Sequence, residues 1–158
     1  MKIGIIGSDA RAAAIGRLLV SGGHDVSSQA GVGEAEIPYR QACTREMLVV
    51  AVPSEGIDEA LTAIGSGIGS QAIVDATDGD RVSYGHTQAE LLARKLNSHR
   101  VVRALITLPQ AGANIPICGD DPIAKQVVEA AFEACKCVVS DRGPLANAGQ
   151  LERPRVAA

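Results

Sequence analysis

The stretch 2-KIGIIGSDARAAAIGRLLV-20 decides the fold. Its apolar, β-branched start, 3-IGII-6, reads as a buried strand. The spacing of Ala13, Ala14, Ile15, Leu18 and Leu19 predicts a helix over residues 10 to 21, stopped by the glycines of 22-GGH-24. Between strand and helix, 7-GSDARA-12 has the spacing G-x-G-x-x-G/A. In that turn the first glycine bends the chain, the second lets phosphate touch backbone, and the third packs helix on strand. Gly7 fills the first place and Ala12 the third, but Asp9 stands in the second.

Asp9 adds bulk where phosphate oxygens would meet backbone, and a negative charge beside a dianionic group. At about 4 Å two unit charges interact by about 4 kcal/mol at an effective dielectric near 20, enough to remove much of a micromolar affinity. Two local features soften that estimate. Asp9 is a good cap for the helix that begins here, and Arg11 can offset the repulsion by contacting phosphate. The loop is therefore a stronger signal for fold than for binding.

Working outward, further apolar runs recur at 24-HDVSS-28, 47-MLVVAV-52, 72-AIVDA-76, 100-RVVRALI-106, 115-IPIC-118 and 136-KCVVSD-141. Helical periodicity appears over residues 55 to 65, 87 to 97 and 122 to 135. Strands alternating with helices predict an α/β, doubly wound, mainly parallel sheet with helices on both faces, Rossmann-like in architecture. Ligands bind such sheets at the carboxyl ends of strands, near the reversal in strand order. That places in question 7-GSDA-10, 29-QAG-31, 53-PSE-55, 77-TDG-79, 107-TLP-109 and 142-RGPLANA-148. The link from second to third strand, about 18 residues with Gly31, Gly33 and Pro38, opposes a long helix.

Composition narrows the partners. With 158 residues the chain reads as one domain over 1–152 and a frayed tail at 153–158. Hydrophobic residues make up 46% but aromatics only 2%, so Ile, Val, Leu and Ala must build the core. A formal charge of -3 and the lack of aromatic platforms argue against nucleic acid. No apolar run is long enough for a membrane span, and the amino terminus enters a strand directly, which predicts a cytoplasmic protein. Cys43, Cys118, Cys135 and Cys137 lack paired C-x-x-C spacing, so no metal centre is expected. Cys135 and Cys137 read as packed thiols before they read as a redox pair.

Several side chains remain as candidates for chemistry. The second strand ends in 27-SSQAGVG-33, without the acid that holds an NAD ribose or the arginine that holds an NADP phosphate. Ser27, Ser28 or Gln29 can bond a ribose, though small polar residues after a strand are usually turn formers. His24 and His99 read as structural, while His86, beside Tyr84, is a candidate proton donor that reads more simply as a helix-surface residue. Asp75, Asp78 and Asp80 can hold a divalent cation through oxygen, although such a loop is more often solvated. Asp120 or Asp121 suits a helix cap before Pro122, and Asn147 is a candidate for the site. Neither a G-x-S-x-G elbow nor a P-loop is present.

The ordered pieces 2-KIGIIGS-8, 23-GHDV-26, 49-VVAVP-53, 73-IVDAT-77, 101-VVRALIT-107, 118-CGDDPIAK-125 and 141-DRGPLANAGQLE-152 span most of the chain. In these the chain resembles the deazaflavin (coenzyme factor 420)-dependent NADP oxidoreductase family. The resemblance implies hydride transfer with NADP or NAD and a homodimer, since family members often dimerise, and leaves any use of a deazaflavin open. It implies pyrophosphate on the backbone of Gly7, Ser8, Asp9, Ala10 and Arg11, a ribose near Gln29, Ala51, Val52 and Pro53 along the dinucleotide, and Thr77 and Thr107 near the nicotinamide. Departures fall on the same face: Asp9 for glycine, Ser54 for a bulky aromatic, 75-DATDG-79 for D-x-T-N-P, and Ile106 for a polar amide. Two functions follow, an NAD(P)-dependent oxidoreductase with a degenerate loop, or a Rossmann-fold binding or assembly module that has lost the dinucleotide.

Overall fold

A computed structural model describes residues 1–28, 44–64, 68–77 and 85–152. Seven strands form one sheet: β1 (Lys2–Ile6), β2 (Asp25–Ser28), β3 (Met47–Val50), β4 (Ala72–Asp75), β5 (Val101–Ala104), β6 (Asn114–Gly119) and β7 (Val138–Asp141). Their spatial order is β2-β1-β3-β4-β5-β6-β7. The first five are mutually parallel, β6 runs antiparallel to β5, and β7 follows β6. The helices are α1 (Ala10–Ser21), α2 (Ile57–Ile64), α3 (Gln88–Leu96), α4 (Pro122–Glu133) and α5 (Ala148–Glu152), with 3-10 turns at Ser54–Gly56 and Leu145–Asn147. The chain has the α/β, doubly wound, mainly parallel fold that its alternating periodicities predict.

The central strands bury both faces, which is why they read as unbroken apolar runs and not as alternating ones. Ile3, Ile5, Val49, Val74 and Val102 pack with α1 and α4, including the lone phenylalanine, Phe132. Ile6, Leu48, Val50, Ile73 and Val101 pack with α2, α3 and α5 on the other face. Parity along each strand thus assigns each side chain to one helix layer.

Helix ends follow local chemistry. Asp121 caps α4, accepting from the Ala124 N–H at 3.1 Å, with Pro122 in the first turn. Thr87 and Glu90 form a reciprocal capping box at α3, whose left-handed C-cap is Asn97 at φ 49°. Strands end two residues earlier than their apolar runs at β3 and β5, because Ala51, Val52 and Ile106 are buried, and Leu105 half-buried, loop residues that hydropathy cannot tell from strand.

The direction of β7 corrects one expectation. Because β6 and β7 oppose the first five strands, residues 142–148 leave the sheet at the amino edge of β1 to β5 and not at their carboxyl edge. Asn147 is accordingly placed away from the glycine loop, and its side chain donates to the Arg142 carbonyl at 2.9 Å. Asp120 lies at that edge too, accepting from the Leu145 N–H at 3.0 Å.

Candidate functional site

The order β2-β1-β3 means that the chain leaves β1 toward one edge and later continues through β3, β4 and β5 toward the other. The carboxyl ends of β1 and β3 therefore border the crevice where connections diverge, the usual ligand position in open α/β sheets. Gly7 leaves β1 at φ +134°, a conformation that side-chain-bearing residues rarely adopt. A Cβ there would lie 2.3 Å from the Ala51 carbonyl oxygen and 3.1 Å from the Ala12 Cβ. The first and third places of the motif do what their spacing predicts: Gly7 lets β1 turn against β3, and small Ala12 lets α1 approach. Ala51 and Val52 are buried, Pro53 half-buried, and Ser8, Asp9 and Ala10 exposed along the crevice.

Asp9 is the N-cap of α1. Its Oδ1 accepts the Ala12 N–H at 2.8 Å, and its extended backbone carries its carbonyl into the first helical bond, from Ala13. The carboxylate thus takes one of the donors that a helix N-terminus otherwise presents to an anion. Arg11, the second residue of α1, reaches sideways and donates through Nη1 to the Ala76 carbonyl at the end of β4. Since β3 separates β1 from β4, this guanidinium crosses the mouth of the crevice. No spacing in the sequence announces that bond, because it depends on strand order.

At the ends of β4 and β5 lies a buried ionic cluster. Asp75 is 0% exposed and Arg103 2%. Arg103 Nη1 lies 3.4 Å from Asp75 Oδ1 and donates to the carbonyls of Asp75 at 3.1 Å and Thr77 at 2.8 Å. Thr77 donates to Asp75 Oδ1 through both its N–H, at 3.0 Å, and its hydroxyl, at 2.6 Å. Asp75 Oδ2 has no hydrogen-bond partner among the described residues. One correction follows: Asp75 is not a solvated loop carboxylate. Thr77, fully buried, gives its hydroxyl proton to Asp75. Opposite charges inside two apolar strand runs, Asp75 directly after 72-AIV-74 and Arg103 directly after 101-VV-102, were the available signal for this cluster. Thr107 is exposed just beyond, and Ile106 is buried.

Other candidates are dispersed. His24 Nε2 lies 2.8 Å from the Ala131 carbonyl, tying the start of β2 to α4. His86 sits before α3, with Nδ1 3.9 Å from Glu90. His99 is exposed before β5, at the amino edge. Gln29, Arg40, Cys43, Asp78, Asp80 and Tyr84 lie outside the described residues, as does the tail at 153–158. Cys118, Cys135 and Cys137 are buried free thiols. Burial pushes Cys118 and Cys135 up to about 11, aided at Cys118 by the Asp141 carboxylate and at Cys135 by Cys137, so neither is an activated nucleophile. Among the described residues, no group of three or more His, Cys, Asp or Glu side chains is placed to hold a metal ion, and no helix is long and apolar enough to cross a membrane.

A glycine turn after β1, a helix N-terminus above it and a strand-order reversal beside it define a Rossmann-like α/β domain. Several solved structures share the fold. A hypothetical protein from Sinorhizobium meliloti superposes with a TM-score of 0.82 at 21% identity, over 100% of this chain and 94% of that one. A candidate coenzyme F420-dependent NADP reductase from Arthrobacter sp. FB24 gives 0.78 at 20% identity, over 96% and 89%. Pyrroline carboxylate reductase from Plasmodium falciparum, solved with NADP bound, gives 0.70 at 12% identity, over 89% of this chain but 57% of that one. No protein-family model matches the chain, nor does any curated protein.

Proposed function

We propose that this protein is an NAD(P)-dependent oxidoreductase domain that binds NADP or NAD at the carboxyl edge of β1, β3 and β4, with weakened affinity. The observation that carries this reading is the Gly7 turn, whose φ and whose contact with Ala51 no other residue type can supply. A turn so constrained is kept where backbone must pass close to a ligand or another strand. The dinucleotide would lie with its diphosphate over Gly7, Ser8, Asp9, Ala10 and Arg11, pass Ala51, Val52 and Pro53, and bring its nicotinamide toward Thr77 and Thr107. Gln29 would serve the adenosine ribose.

When bound, the nicotinamide supplies the hydride, so the chain needs no acid and base pair of its own. Its residues would hold the ring in place and keep water from it. The Asp75–Thr77–Arg103 cluster fixes the backbone beneath the nicotinamide end, and Arg11, bonded to the Ala76 carbonyl, ties the first turn of α1 to that same edge. A deazaflavin as electron partner, a homodimer and a cytoplasmic location belong to the same proposal, following the family resemblance.

A second reading, a binding or assembly module without dinucleotide, is favoured by one observation: Asp9 already satisfies the Ala12 N–H. Calorimetric titration with NADPH, NADH and ADP-ribose separates the two. Saturable binding by any of them supports the oxidoreductase. Silence from all three, with folded protein in the cell, supports the module.

A further inference from the structure

A cavity of about 540 Å³ opens at the amino edge of the parallel strands, the edge opposite the glycine loop. It lies among the residues leading into β3 and β4, Arg100 before β5, and one side of α4 at Ala124 and Val127. Its volume falls in the range of about 300 to 1,000 Å³ common for small-molecule sites. Arg45 and Arg100 are among its lining residues, with 24% and 28% of their side chains exposed. Ser70 belongs to the same wall, and Ala72, Ala124 and Val127 supply an apolar side.

The carboxylates near these arginines each approach a single guanidinium nitrogen. Asp25 meets Arg45 Nη1 at 3.8 Å and Asp121 meets Arg100 Nε at 3.6 Å. Both separations exceed hydrogen-bond range and each is a single-point contact, whereas a guanidinium binds an oxyanion best by two parallel N–H bonds. Neither aspartate lines the cavity. Arg100 also donates through Nη1 to the Ser70 carbonyl at 2.6 Å, which fixes its plane. Glu46 does line the cavity, but its carboxylate accepts the Lys2 backbone N–H.

We propose that this cavity is a second ligand site, separate from the dinucleotide edge, which takes a small oxyanion, phosphate or carboxylate, between Arg45 and Arg100. The β3 and β4 strands lie between the two sites, so an occupant here reaches the sheet from its opposite end.

The test uses the full chain titrated with inorganic phosphate and, separately, with citrate, read by amide NMR shifts and calorimetry. Expected is saturation at a Kd of about 1 to 10 mM or below, an affinity within reach of a pair of guanidiniums. Shifts should fall at residues 45, 46 and 69 to 72 and spare Gly7 to Arg11. Arg45→Gln should weaken binding about tenfold with the thermal midpoint of the ligand-free protein unchanged. Arg100→Gln should do the same, and because Arg100 also braces Ser70, Arg45→Gln decides the matter if that variant unfolds. A third arm adds ADP-ribose to phosphate-saturated protein, where independent effects of the two ligands are expected. Absence of saturation, unchanged binding in Arg45→Gln, shifts confined to Gly7 to Arg11, or competition between phosphate and ADP-ribose would each overturn the proposal.

Discussion

Replacing Asp9 by Asn separates the two things its carboxylate does. The amide oxygen can still accept the Ala12 N–H now held at 2.8 Å, and Asn caps helices about as well as Asp. Only the interaction of the charge with the helix dipole is lost, about 0.3–1 kcal/mol, so the thermal midpoint should fall by no more than about 4 °C. For a bound diphosphate the change removes a like charge about 4 Å away, worth about 1 kcal/mol in water and about 4 kcal/mol at an effective dielectric of 20. Asp9 is exposed, so the aqueous end of that range applies, and 1 kcal/mol corresponds to about fivefold tighter binding. Titration of NADPH into Asp9→Asn and the parent at low salt measures it. Raising ionic strength to about 1 M shrinks the screening length to about 3 Å, which should erase most of the gain. Affinities within twofold of each other at low salt, binding by neither protein, or a gain that persists at high salt would refute this account of Asp9.

Gly7→Ala forces a Cβ to within 2.3 Å of the Ala51 carbonyl oxygen at φ +134°. Backbone strain of about 1–3 kcal/mol plus a comparable overpacking term should lower the thermal midpoint by about 6 °C or more, and a shift under about 2 °C would show that β1 and β3 can part freely. Arg103→Met strands the Asp75 carboxylate in the core and should destabilise by about 3–5 kcal/mol in urea unfolding, with the added Asp75→Asn change recovering part; a double variant no more stable than Arg103→Met would contradict a charge-based origin. Cys118 and Cys135, protonated in the fold up to about pH 11 against an ordinary value of 9.0, retain their proton where the unfolded chain has lost it. Their contribution to stability is therefore complete below about pH 9 and lost as pH rises toward 11, which alkaline melting curves test by comparison with Cys118→Ala. In mass-spectrometric alkylation at pH 8 both should remain unlabelled until denaturant is added, and rapid labelling of either would contradict their burial.

Much of this molecule is legible from its residue order, because the signals are local. The 3.6 and 2.0 periodicities separate α1 from β1, Asp121 and Pro122 mark the start of α4, and Gly7 and Ala12 mark the turn, since each depends on backbone sterics within a few residues. Tertiary structure alone decided the rest. That 142–148 face the amino edge follows from β6 reversing beside β5, a pairing between segments that neither segment encodes by itself. That Arg11 closes on Ala76, that Arg103 claims Asp75 and Thr77, and that Arg45 meets Arg100 around one cavity all require β4 and β5 to stand in line with β1 and β3. A side chain's charge and reach are fixed by its identity, but its partner is fixed by strand order, and strand order is set by how the two helix layers close over the sheet.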